Sequence, residues 1–122
     1  MDEAFSQVAR LRPYQIWPGT TARAVHGERL TMAVVDVGPN CAVPEHRHEH
    51  EQVGVVIRGQ LTMDVDGTRS ELGVGHTYCI RSGLPHLVIA GPDGATVVDI
   101  FAPVRSDWDG LVRPAVTPGQ WP

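Results

Sequence analysis

The sequence predicts an all-β domain, a sandwich or closed barrel, on three observations. Short apolar runs recur from Thr20 to Ala102, each closed within several residues by Gly or Pro. No long stretch carries the 3.6-residue periodicity of a core-facing helix. Asp66-Gly67 separates two short strand-like runs, which is a strong signal for a two-residue hairpin turn. At 122 residues the chain has room for one domain and one core.

Taken in order, Ala4 to Leu11 offers a short helix that Pro13 would end, and Pro18-Gly19 a turn. Thr20 to His26 reads as a strand, with Gly27-Glu28 as its turn. Arg29 to Val37 is a largely apolar strand closed by Gly38-Pro39-Asn40. Val43 to Ile57 follows, with Gly59 as a turn, and then Gln60 to Val65, where Leu61, Met63 and Val65 alternate with polar residues. Thr68 to Leu72 pairs back across Asp66-Gly67. After Gly73-Val74-Gly75 come His76 to Ile80, a turn at Ser82 to Pro85, and His86 to Ala90. Pro92-Asp93-Gly94 reads as another hairpin, and Ala95 to Ala102 as the last strand. The tail from Pro103 to Pro122 is expected to pack over the outside, with Trp17, Trp108 and Trp121 anchoring the termini or lining a mouth.

The most informative stretch is Pro44 to Gly59. His46, His48, His50 and Gln52 occupy alternate positions, so an extended strand would aim all four to one face. His86 follows after a later turn. Imidazoles gathered in this way are transition-metal ligands, and an incomplete protein shell suits a catalytic ion. The bland alternative is a solvated strand, since Arg47, Glu49 and Glu51 interleave. His26 and His76, beside turns, are expected at the surface. Cys41 and Cys79 are expected to be reduced, small apolar fillers, with Cys41 a weak candidate ligand.

Composition narrows the partners. A net charge of −4, with ten arginines and no lysine, gives no reason to expect nucleic acid or an anionic membrane. No run has the length of a membrane span, and the acidic N-terminus does not resemble a signal peptide, so a cytoplasmic location is expected.

Gly38, His46-x-His48-x-x-x-Gln52 and, after six further residues, Gly59 resemble the first cupin motif, with Gln where Glu is usual. Gly75 and Gly83-x-x-His86 resemble the second, with Arg81 and Ala90 departing from the usual Pro and Asn. The resemblance implies a cupin jelly-roll β-barrel, a double-stranded β-helix, over about residues 20–104, flanked by extensions 1–19 and 105–122. It also implies one divalent transition-metal ion (Zn, Ni, Mn or Fe) held by His46, His48, Gln52 and His86. Gln for Glu leaves the bound ion with more net positive charge, which favours polarising a carbonyl or acidifying a bound water.

The wording around the first motif and from Val98 to Trp108 further resembles two single-domain groups, cupins of pectin degradation that linearise unsaturated uronates, and small metal-dependent polyketide cyclases. In the first group an Asp-x-Phe-x-x-x-Arg pattern serves the active site, and it maps onto Asp99, Phe101 and Arg105. A carboxylate in an otherwise apolar strand also needs a reason to be there. The expected roles are proton transfer by Asp99, grip on a carboxylate or enolate by Arg105, and a further ligand or supporting base in His50. Phe101, Tyr78 and Met63 are expected to line a pocket for a small-molecule substrate, with a slight preference for a flat apolar one.

Three functions follow. The first is a non-redox cyclase or isomerase acting on a small carbonyl-containing ring. The second is a metal-dependent dioxygenase. The third is a non-catalytic sugar or metabolite binder, although cupins of that kind usually carry a DNA-binding domain for which this length leaves no space. A homodimer formed through strand edges is expected.

Overall fold

The computed structural model describes residues 4–122. Among these residues are eight strands: β1 (Tyr14–Trp17), β2 (Thr20–His26), β3 (Thr31–Val37), β4 (Ala42–His46), β5 (Glu51–Val65), β6 (Thr68–Leu72), β7 (Thr77–Ile80) and β8 (His86–Ala102). They form one antiparallel sheet in the order β1-β2-β3-β8-β5-β6, with β4 also on β8 and β7 also on β5. This is the jelly roll the cupin resemblance implied.

The two long strands are the spine. β5 and β8 pair from Glu51↔Ala102 to Val65↔His86, with irregularities between Val56 and Arg58 and between Gly59 and Leu61. Gly59 and Gly94 take positive φ there (69° and 75°), and a side chain on residue 59 would strike the Gly94 carbonyl. Gly59 pairs with Ala95 and Leu61 with Ala90, so β8 fits Gly91 to Gly94 opposite the single residue Gln60. The expected turns at Gly59 and at Pro92-Asp93-Gly94 are therefore a bulge within continuous strands. Past it, the second half carries Leu61, Met63 and Ala90 into the same core as Val35, Val56, Val97 and Phe101.

Other expectations meet the structure as follows. Asp66-Gly67 makes the hairpin, both residues with positive φ (50° and 88°), as a type I′ turn requires. The expected N-terminal helix is only a three-residue 3-10 turn, Val8–Arg10. β1 has no counterpart in the sequence reading, because YQIW is too short for a clear pattern. Cys41 and Cys79 are free thiols; Cys41 packs on the core, whereas Cys79 is exposed and is no filler. No helix is long and apolar enough to cross a membrane among the described residues.

The tail does pack over the sheet, and one ion pair holds it. Arg23, buried on the outer face, meets Asp36 at 3.3 Å and donates from Nη2 to the Thr117 carbonyl at 2.6 Å, while the Gln120 amide donates to Asp36. A side chain at Gly119 would overlap this pair.

Candidate metal centre

Three imidazoles converge. The ligand-capable nitrogens of His46, His48 and His86 all lie within 4.8 Å of one another. His46 ends β4, His86 begins β8, and the two are register partners, which places both rings at the same level. His48 arrives from the loop between β4 and β5. Each ring is oriented through Nδ1 by a backbone carbonyl two residues away: Pro44 for His46 (2.8 Å), His50 for His48 (2.9 Å) and Leu84 for His86 (2.8 Å). A carbonyl can only accept, so each Nδ1 carries the proton and each Nε2 keeps its lone pair. Burial, reinforced by Arg105 and the neighbouring rings, lowers the His48 pKa to about 4, and burial also lowers that of His86. Neutral imidazoles with their Nε2 atoms gathered fit a divalent transition metal.

The single-strand geometry expected for the histidines is not what assembles them. β4 stops at His46 and β5 starts at Glu51, so the alternation is broken in between. His50 consequently stays out of the cluster. It is buried, its Nδ1 has no partner among the described residues, and its Nε2 faces Asp107 Oδ1 at 3.8 Å. Cys41 is also outside the cluster.

The cavity beside the imidazoles is lined by Gln52, Tyr78, Asp99, Phe101, Arg105 and Met63, all expected from the sequence, and by Trp17 and Trp108. Register explains how the polar members meet. On the inner face Asp99 of β8, Gly54 of β5 and Tyr78 of β7 are neighbours in one row. Gly54 has no side chain, so Tyr78 and Asp99 reach across it, and the Tyr78 hydroxyl donates to Asp99 Oδ1 at 2.5 Å. Burial raises the Asp99 pKa to about 6, against the opposing pull of Tyr78, Gln52 and Arg105. Burial and the Asp99 charge push the Tyr78 phenol far up, so it remains a donor.

Gly54→Ala tests this arrangement. The new methyl would overlap both the Asp99 carboxylate and the Tyr78 ring. A loss of about 1–3 kcal/mol in denaturant unfolding is expected, the usual cost of overpacking. Unchanged stability would mean that the pair relaxes freely.

Arg105 is almost buried, with its guanidinium 4.7 Å from the ring centroids of both Phe101 and Trp108. Trp108 comes from the 3-10 turn Ser106–Gly110, and it packs on Tyr14 and Phe101. Trp17 stands 5.3 Å from His46, whereas Trp121 is exposed. His26 and His76 are exposed, as expected.

The cupin domain model matches residues 33–101. The pectin degradation protein KdgF of Dickeya dadantii (strain 3937) is 26% identical over 80 residues, 65% of this chain and 73% of that protein. The HTH-type transcriptional regulator PuuR of Escherichia coli (strain K12) is 27% identical over 73 residues, 56% of this chain but 40% of the regulator. The structure of KdgF from Halomonas sp. superposes with a TM-score of 0.79 at 23% identity, over 87% of this chain and 98% of that one, a likeness of fold.

Proposed function

This chain belongs to the cupin family, and on that footing we propose that it is a metal-dependent enzyme that rearranges a small carbonyl-containing ring by proton transfer, without net oxidation. The observation that carries this reading is a buried carboxylate, Asp99, sharing one cavity with three convergent imidazoles. His46, His48 and His86 would hold the ion through Nε2. Gln52, whose side chain acts on Asp99, would add its carbonyl oxygen. When bound, the ion supplies a Lewis acid for a carbonyl or enol oxygen.

The remaining roles belong to side chains. Asp99, with a pKa of about 6, moves a proton between carbon and oxygen close to neutral pH. Tyr78 and Gln52 hold that carboxylate in place. Phe101, Met63 and Val97 form an apolar wall that orients a flat ring and excludes water. Two substrate classes fit. Identity with a pectin degradation protein supports an unsaturated uronate, and the apolar lining supports a flat polyketide.

Protein loaded with zinc, nickel, manganese or iron would be incubated with an unsaturated uronate and with a partly cyclised, flat polyketide that carries a β-ketone side chain. Products would be read by mass spectrometry and oxygen by electrode. Expected is a product that is isomeric or dehydrated, with no oxygen consumed. Oxygen uptake in step with turnover would make the protein an oxygenase. Tight binding without turnover would make it a binding module. The acid limb of kcat/KM is expected at about pH 6 or below, because the base must be ionised.

A further inference from the structure

The histidine that the cluster leaves out points to a residue with no role so far. Asp107 is the second residue of the 3-10 turn after β8, and its side chain is half exposed. It takes both hydrogen bonds of an Arg105 fork: Nε to Oδ1 at 3.0 Å and Nη2 to Oδ2 at 3.0 Å. His50 Nε2 flanks the same carboxylate from behind, at 3.8 Å. Arg105 lines the cavity and Asp107 does not. Asp107 therefore grips the guanidinium from the solvent side. Phe101 and Trp108 pack on it together, each ring centroid 4.7 Å from the guanidinium carbon and the two 5.4 Å from each other, and the Phe101 ring in turn lies 6.0 Å from His48. With Nε and Nη2 both held by Asp107, Nη1 is left without a hydrogen bond among the described residues.

We propose that Asp107 is the positioning residue of the site, fixing Arg105 so that Nη1 is presented to the cavity as the donor for an anionic substrate oxygen beside the imidazoles. The inference rests on the proposed function in one respect, that a substrate oxygen enters next to the histidines. Asp107 touches no substrate itself; it acts by restricting a long side chain that would otherwise sample many rotamers.

Charge alone and positioning predict opposite signs, and this makes the idea testable. Asp107→Asn removes a negative charge near the mouth, so simple electrostatics would strengthen anion binding. Loss of the bidentate grip should instead weaken it. The probes are benzoate and benzamide, rings of the same shape of which only the first is charged, titrated calorimetrically into the zinc-treated full chain at pH 7. The wild type is expected to prefer benzoate, and Asp107→Asn to weaken benzoate by about tenfold, as loss of a supporting partner typically does. Benzamide binding should be unchanged. Asp107→Glu should restore much of the loss, and Arg105→Gln should abolish the preference.

Benzoate binding equal to or tighter than wild type in Asp107→Asn would overturn the proposal, as would a wild type with no preference for benzoate. Zinc content, measured on the same samples, keeps the two readings apart. A benzoate preference that depends on Asp107 without bound zinc would uphold the positioning role while removing the metal enzyme. Should the Asn variant melt early, Asp107→Ser would give the same sign test.

Discussion

His48→Ala is expected to abolish stoichiometric metal binding while leaving the jelly roll folded. His48 is the one member of the cluster that comes from a loop rather than a strand, so its replacement breaks no strand pairing. Its removal leaves two imidazoles, and affinity should fall more than about 100-fold, beyond what loss of a merely supporting residue causes. Metal content by mass spectrometry should drop from roughly one equivalent to background. The thermal stabilisation that added zinc gives the wild type should vanish with it. Retention of one equivalent would remove His48 from the shell.

The metal-free variant has a second signature. His48 titrates at about pH 4 in the folded chain and near 6.5 when unfolded. A depressed pKa of this kind gives stability that is present above 6.5 and lost as pH falls through about 4. His48→Ala lacks that dependence, so its unfolding free energy should decline less than that of the wild type between pH 6.5 and 4.

Asp99→Asn should separate activity from stability. Turnover is expected to fall by about 10²–10⁴, the range for loss of a positioned general acid or base, with metal content unchanged. Stability of the metal-free protein should move the other way. The Asp99 pKa is raised from 3.8 to about 6, so the native state holds a proton that the unfolded chain has released. The stability this provides is complete below pH 3.8 and is lost as pH rises through about 6. Above that, the wild type carries a buried carboxylate at a cost of up to about 3 kcal/mol, and the Asn variant does not. Tyr78 can still donate to the amide oxygen.

Urea unfolding at pH 8 should therefore find Asp99→Asn the more stable protein, with the advantage gone by pH 4. Comparing two proteins that both contain His48 cancels its opposite dependence. An Asn variant that is less stable at pH 8, or fully active, would refute the role assigned to Asp99.

Much of the site is legible in the sequence. His46, His48, Gln52 and His86 stood in a recognisable spacing, and Asp99, Phe101 and Arg105 in another, and all seven line one cavity. His50 does not join the three clustered imidazoles, because alternation puts residues on one face only while the strand continues, and here the chain leaves it after His46. Trp108 is legible as an aromatic that anchors the tail or lines a mouth, whereas Asp107 gives no signal, since nothing in Ser-Asp-Trp-Asp-Gly says that this carboxylate meets Arg105.

Local sequence by itself determined the all-β character of the chain, the Asp66-Gly67 hairpin and the kind of chemistry available, because these depend on neighbours within a few residues. Tertiary structure alone decided that Gly59 and Pro92 to Gly94 bend paired strands rather than end them. A ladder partner on either side of the bulge holds the chain extended where local turn propensity would release it. It also decided that Tyr78 meets Asp99 above Gly54. That contact spans three strands and depends on register, which is set by the hydrogen-bonded pairing of distant segments.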